Sequence, residues 1–297
     1  MEKVSVVVAT YRRKAPLEVA LKSLADQTYE NIEIVLVDDN GNQEYNEIVL
    51  DIVNKFKAEN PSIALNFIVN NPNKGSAETR NIGIKASSGK YVTFLDDDDL
   101  YLPDKVKRQV EFMIENDYDY SVTDLDLYDE NDKLIDRRIR DFIKSTEQQD
   151  LFKYHLKYHL TGTDTMMFKK EYLQKIGGFA PIDVGDEFYL MQRAIDGNGR
   201  FGYLPACDIK AYVHSGENGG LSSGESKIKG ENMLYEYKKQ FFQKIDNKTK
   251  RYIKMRHFAV LAFAEKRRGK LGAFLKNGFK SFFVAPIACV KLLLSGK

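Results

Sequence analysis

Apolar and polar positions change period along this chain, and the changes divide it into elements. "VSVVVAT" (4–10) is a continuous β-branched apolar run, the pattern of a strand buried on both faces in a parallel sheet. "IEIVLVDD" (32–39) repeats that pattern and ends in acids, while "IALNFIVN" (63–70) and "KYVTFLD" (90–96) predict a third and a fourth strand. Between them apolar residues recur at helical spacing. The segments are "PLEVALKSLADQ" (16–27), "NEIVLDIVNKFKAEN" (46–60), stopped before Pro61, and "GSAETRNIGIKASSG" (75–89). In the last, Ser76 reads as the N-cap and Gly89 as the C-terminal stop. Strand–helix alternation of this kind means βαβ units, an α/β fold with a mostly parallel sheet, and right-handed crossovers.

The second half is more mixed. "YDYSVTDLDLYDENDKLID" (118–136) predicts a hairpin turning near Glu130-Asn131-Asp132. "TDTMMFKKEYLQKIGGF" (163–179) reads as a strand and then a short helix ended by Gly177-Gly178. "VGDEFYLMQRAIDGN" (184–198) reads as a helix, "FGYLPACDIKAYVHS" (201–215) as extended chain, and the Gly/Ser-rich 216–226 as a loop. From about 228 onward the pattern is helical, aromatic and basic. The division expected is 1–227 as one domain, with a first half 1–106 and a second half 107–227, followed by a helical extension 228–297.

Composition narrows the class. The chain has 297 residues, 43% apolar and 30% charged, with a net charge of +2, which describes a globular protein without the basic bias of a nucleic-acid binder. Cys207 and Cys289 make no disulfide framework, and a reducing cytoplasm is the expected setting. The start, "MEKVSVVVATYRR", lacks the pattern of a signal peptide, and no stretch approaches the ~20 apolar residues of a membrane span.

Chemistry concentrates where strands end. In parallel sheets ligands bind beyond the carboxyl ends of the strands. Thr10-Tyr11-Arg12, Asp38-Asp39 and the run Asp96 to Asp99 all fall there. Four adjacent carboxylates repel one another unless a cation faces them. Hard oxygen ligands suit Mg²⁺ or Mn²⁺, which takes the rest of its shell from water and phosphate oxygens. A solvated acidic turn is the plainer alternative. Calcium loops fail on spacing: the sixth residue, which must be Gly, is Tyr101 counted from Asp96 and Asp129 counted from Asp124. Neither G-x-G-x-x-G nor G-x-x-x-x-G-K-[ST] is present.

"VSVVVATYRR", "IEIVLVDDN", "NKGSAETRNIGIKASSGKYVTFLDDDD" and "LYLPDKV" occur in that order, and together they resemble the nucleotide-binding half of a family 2 glycosyltransferase of the GT-A fold, bacterial cell-surface saccharide type. The likeness is good over 3–106 and loose over 160–215. It implies a Rossmann-like sheet flanked by helices and an inverting transfer from a nucleotide sugar, UDP-linked, to a saccharide or lipid-linked acceptor. On that resemblance Ala9, Thr10, Tyr11 and Arg12 line the base and ribose. Asp39 accepts the uracil imide N–H with Asp38 in support, and Lys74, Gly75 and Arg80 approach the diphosphate, Arg80 offering its planar fork to oxyanions or, as a structural ion pair, to the rim acids. Asn40 stands where the family often has Gly. Asp98 and Asp99 become the metal and ribose residues, Asp96 orients that shell, Asp97 matches the variable position beside the nucleotide, and His214 is a third metal or phosphate contact. The catalytic base matches Asp186, which has the family's residue type, or Glu187, which has the better spacing to Leu190 and Arg193.

The basic, aromatic stretch 248–297 reads either as helices covering the catalytic domain or as a surface lying on the inner, anionic leaflet of the plasma membrane. Nucleic-acid binding is not expected. Two rival functions stand beside the leading one. A sugar-phosphate nucleotidyltransferase would need a Gly-rich signature after the first strand, which "ATYRRKAPL" lacks. A non-catalytic nucleotide-binding scaffold would have no use for intact rim acids.

Overall fold

In a computed structural model, residues 1–182, 185–213 and 224–294 are described. The chain divides into two compact units, Met1–Gln148 with Leu160–His214, and Gln149–His159 with Ser215–Lys297. The segment Gln149–His159, expected within the 107–227 half, therefore packs with the C-terminal helices.

The first unit begins β1 (Val4–Thr10), α1 (Ala15–Ala25), β2 (Ile32–Asp38), α2 (Gln43–Glu59), β3 (Ala64–Val69), α3 (Ser76–Ala86), β4 (Tyr91–Asp96). This is the alternation the apolar periods predict. It continues with β5 (Leu100–Tyr101), α4 (Lys105–Glu115), β6 (Tyr120–Thr123), β7 (Leu125–Tyr128) and β8 (Leu134–Arg138). Beyond α5 (Gln148–Tyr158), which belongs to the second unit from Gln149 on, come a 3-10 turn (Thr163–Thr165), β9 (Met166–Lys169), α6 (Lys170–Lys175), α7 (Asp186–Asp196), β10 (Phe201–Leu204) and β11 (Ile209–Tyr212). Among the described residues a seven-stranded sheet runs in the order β10-β6-β9-β4-β1-β2-β3. β1 pairs in parallel with β2 and with β4, and β9 enters antiparallel between β4 and β6.

Both faces of β1 are covered, which is why it reads as one apolar run. Val4, Val6 and Val8 join the core with Leu17, Leu21, Ile52 and Phe56 from α1 and α2. Val7 faces α3, where a Cβ on Gly83 would stand 2.4 Å from its Cγ1, so the glycine lets helix and sheet approach. Each fully buried Val contributes about 1.5–3 kcal/mol relative to exposure.

Three local expectations are corrected. Gly75, at φ 81°, is the N-cap of α3 and Ser76 is its first residue, while Ser87 rather than Gly89 closes the helix. The chain turns into the helix through the positive φ of Gly75, so Ser76 already has helical backbone and cannot serve as the cap. The hairpin expected over 118–136 is confined to β7 and β8. Residues Tyr120–Thr123 instead join the main sheet, because Asp124 buries its carboxylate against the Arg140 N–H and the Tyr203 hydroxyl, at 2.8 Å each, and breaks the strand there. β11 pairs with β5 and β7 in a second sheet of four strands, in the order β5-β11-β7-β8.

The second unit holds α5, α8 (Gly224–Lys239), α9 (Asn247–Arg267), α10 (Leu271–Val284) and α11 (Pro286–Leu294). Asp246 caps α9 by accepting the Thr249 N–H at 2.9 Å. Arg251 donates to the Val284 carbonyl at 2.9 and 3.0 Å, satisfying the C-terminal end of α10.

Candidate active site

The parallel register decides which strand ends meet. Thr10 pairs with Asp38, and Ala9 with Asp96. The turn after β1 therefore lies between the acid pair at the end of β2 and the run of four acids that starts with the last residue of β4. The Thr10 hydroxyl donates to Asp97 Oδ2 at 2.7 Å, and the Tyr11 N–H donates to the same oxygen at 3.1 Å. Burial still pushes the Asp97 carboxyl up to about 7, against the pull of those two bonds. Arg13 reaches Asp98 Oδ2 at 2.5 Å and Asp97 Oδ1 at 3.5 Å. Arg12 holds a left-handed backbone at φ 52°, with its N–H on Asn40 Oδ1 at 2.7 Å and its guanidinium 5.1 Å from the centre of the Tyr11 ring. A non-glycine residue in that conformation carries strain of the kind found at functional turns.

Asn40 earns its place by bonding. Its N–H and Nδ2 both donate to Asp38 Oδ1, at 2.9 and 2.6 Å. The tight position is Gly41, where a Cβ would meet Asn73 N at 2.6 Å. Asp39 is drawn the other way: Lys74 and Gly75 donate their N–H groups to it at 2.8 and 2.9 Å, and Asn70 Nδ2 donates at 2.9 Å. The acid pair thus ties the loop before α3 to the end of β2.

On the other side of the rim Arg80, from α3, bridges two elements. Its guanidinium donates to Asp96 Oδ1 at 2.7 Å and to Asp186 Oδ2 at 2.8 Å, and lies 5.5 Å from the centre of the Phe179 ring. Burial alone would lower its pKa, but Asp96 and Asp186 outweigh burial and raise it. Asp186 opens α7 after Gly185, which is left-handed at φ 80°. Its second oxygen takes the Glu187 N–H at 3.0 Å. Burial, and then the Asp186 charge, push the Glu187 carboxyl up to about 7.

Below Arg80 three carboxylates converge. One oxygen from each of Asp96, Asp99 and Asp164 falls within 4.8 Å of the others. Asp164 Oδ1 accepts the Asp96 N–H at 2.8 Å, and Asp99 Oδ1 accepts the Tyr212 N–H at 2.8 Å. Burial, then Asp96, push the Asp164 carboxyl up to about 7, and burial, then Asp164, hold Asp99 well above its ordinary range. Acids so placed hold either shared protons or a cation. An all-oxygen donor set of this size fits a hard divalent ion.

The sequence profile described as Glycosyl transferase family 2 matches residues 5–177. The chain belongs to glycosyl transferase family 2. It is 37% identical over 113 residues to the Escherichia coli UDP-Glc:alpha-D-GlcNAc-diphosphoundecaprenol beta-1,3-glucosyltransferase WfaP, covering 38% of this chain and 42% of that protein. The crystal structure of S. aureus TarS 1–349 in complex with UDP-GlcNAc superposes with a TM-score of 0.62 at 18% identity, covering 95% of this chain and 91% of that one. The mannosyltransferase PcManGT from Pyrobaculum calidifontis, in complex with GDP-Man and Mn2+, superposes with a TM-score of 0.57 at 17% identity, covering 99% and 75%. These likenesses carry the fold, which is GT-A. Among the first curated relatives it matches, the chain spans between 18% and 56% of their length.

Within this family 2 chain, Thr10, Tyr11, Arg12, Asp38, Asp39, Lys74, Gly75, Arg80, Asp96 to Asp99, Asp186 and Glu187 all lie along the strand-end rim, with Ala9 at the end of β1. Asp98 turns its carboxylate to Arg13, while Asp96 and Asp99 face Asp164. His214 and residues 216–223 of the Gly/Ser loop lie outside the described residues. Sequence reasoning passed over Arg13 and Asp164. A second arginine directly after "ATYR" was the signal for the first. For Asp164 the signal was an acid directly before "TMMF", an apolar run entering the sheet, which is the logic of Asp96 in reverse.

Proposed function

We propose that this chain is an inverting glycosyltransferase that moves a sugar from a nucleotide sugar, UDP-linked, to a saccharide or lipid-linked saccharide acceptor in cell-surface polysaccharide synthesis. The observation that carries the reading is Arg80 joining Asp96 on the donor side to Asp186 on α7, directly above the Asp96–Asp99–Asp164 cluster. The names of WfaP and of the TarS complex support UDP as the carrier, and that of WfaP supports a lipid-linked saccharide as acceptor.

Asp96, Asp99 and Asp164 would hold Mn²⁺ or Mg²⁺, and that ion supplies positive charge for the departing diphosphate. The Mn2+ named in the PcManGT complex supports a divalent ion as the cofactor. Asp97, held by Thr10 and Tyr11, and Asp98, paired with Arg13, would line the nucleotide. The acceptor proton goes to Glu187 in this reading. Both oxygens of Asp186 are engaged, by Arg80 and by the Glu187 N–H, which makes Asp186 a poor base, whereas a carboxylate near 7 is matched to proton transfer at neutral pH. Asp186 then orients Arg80. The enzyme works in the cytoplasm, with 248–297 as its contact with the inner face of the membrane.

The test is UDP release from a panel of UDP-sugars with candidate saccharide acceptors, with Mn²⁺ and with EDTA. Mn²⁺-dependent release that falls when Asp99 is replaced by Asn supports the reading. Undiminished release in EDTA by the Asp99→Asn protein overturns its metal part, and turnover of nucleoside triphosphate with sugar phosphate overturns the whole.

A further inference from the structure

α9 and α10 follow each other in one unit and treat their apolar residues in opposite ways. α9 buries Ile253, Met255 and Leu261. In α10 only Ser281 is buried, holding the Met255 carbonyl through its hydroxyl at 2.9 Å. Leu271, Leu275, Phe279, Phe282 and Phe283 all stand in solvent, with Phe283 75% exposed. At 3.6 residues per turn these five fall within about 120° of arc, on the side of the helix away from Ser281. Lys276 and Lys280 flank that stripe. α11 continues it with Ile287 and Leu294, exposed by 76% and 83%. Monomeric proteins seldom leave such a patch uncovered.

Charge names the occupant. Every charged residue beyond Glu265 is Lys or Arg. A second protein copy would bring the same basic face against itself, at a repulsive cost. No described helix is long and apolar enough to cross a membrane. With 14 and 9 residues, α10 and α11 reach only about 21 and 13 Å, against a hydrocarbon core of about 30 Å. A helix with an apolar face, lysines on its flank and too little length to span lies in the plane of a bilayer interface.

We infer that α10 and α11 seat this chain on an anionic lipid surface, with Phe279, Phe283 and Ile287 entering the acyl boundary and Lys276 and Lys291 meeting headgroups. This deepens the membrane-contact part of the proposed function and narrows it to α10 and α11, because α9 keeps Ile253, Met255 and Leu261 buried.

The experiment is co-sedimentation of the full chain with vesicles of phosphatidylcholine alone or mixed with phosphatidylglycerol, at low and high salt. The protein should sediment with the mixed vesicles and be released by salt. Lys276→Ala with Lys291→Ala should weaken partition about fivefold per lysine. Phe279→Ser with Phe283→Ser should weaken it about tenfold or more for each ring withdrawn, while circular dichroism and urea unfolding stay as in the parent. Failure of the parent to sediment with anionic vesicles, or sedimentation unchanged by the Phe substitutions, overturns the inference. So does light scattering that shows a dimer which those substitutions dissociate, since the face then belongs to a second copy. Vesicle binding needs no sugar transfer. An inactive protein that still sediments defeats only the proposed activity, and an active one that does not sediment defeats only this inference.

Discussion

The strand-end rim of the first unit and the α10–α11 surface of the second break the same rule in opposite directions. At the rim, charge is buried: Arg80, Asp99, Asp164 and Asp186 are shielded from solvent, and each is held by a partner of fixed geometry. At α10–α11, hydrocarbon is exposed to solvent among the described residues. A core obeys the pairing of apolar with inside. Departures from that pairing cost free energy, and a fold keeps them where they act on something else. The rim acts on ions and phosphates, which want fixed charge in a dry place. The helical surface acts on a medium that is itself apolar with an anionic edge. The direction of the departure thus indicates the chemistry of the partner.

The sharpest break in that comparison is at the rim. Glu187→Gln should lower kcat by about 10²–10⁴-fold. Because its carboxyl is raised to about 7, the group is protonated and inert below that pH and competent above it, so the parent rate should climb as pH rises through about 7. The Gln variant should show no such limb in its residual rate. A limb that persists in the variant transfers the role to another group. Next in size, Arg80→Met leaves Asp186 buried without its cation, while Asp96 keeps contact with solvent. Breaking a buried pair in this way should cost about 3–5 kcal/mol in urea unfolding, together with most of the activity. A stability change under about 1 kcal/mol would show that the bridge is not closed in solution.

Asp164→Asn should weaken Mn²⁺ binding by about 10–100-fold, read by calorimetry, while leaving the fold intact. Equal Mn²⁺ affinity in parent and variant would remove Asp164 from the ion site and return the role to Asp98 beside Asp99. The smallest effect is expected on the opposite surface. Phe279→Ser should change unfolding free energy by no more than about 0.5 kcal/mol, because the ring touches solvent in the folded chain as it does in the unfolded one. A loss near that of a core phenylalanine, about 3–5 kcal/mol, would mean the ring is covered within the molecule and the contrast between the two regions is false.

Much of the rim was legible. An apolar run that ends in acids marks a buried strand and its carboxyl end at once, so Asp38, Asp39 and Asp96 to Asp99 announced themselves through local pattern. Arg80 was visible through the family likeness, with the rim acids as one choice of partner, but its second partner, Asp186, was not. Asp96 and Asp186 are 90 positions apart, and no period in the chain relates them. The cap of α3 misled because Ser is the common N-cap, while the backbone at Gly75 had already taken a shape that only glycine adopts without strain.

By itself, then, the order of apolar and polar residues determined the βαβ half of the fold, the rim on which its acids stand and the basic, hydrocarbon-rich character of the last helices. These depend on neighbours in the chain or on periods of two and 3.6. Tertiary structure alone decided that Asp164 joins Asp96 and Asp99, that Arg13 takes Asp98, and that α9 buries Ile253, Met255 and Leu261 while α10 buries only Ser281. Each of those depends on which surfaces meet after folding. β9 enters antiparallel beside β4, and the turn before it carries Asp164 to the rim, a meeting set by packing between residues 68 positions apart.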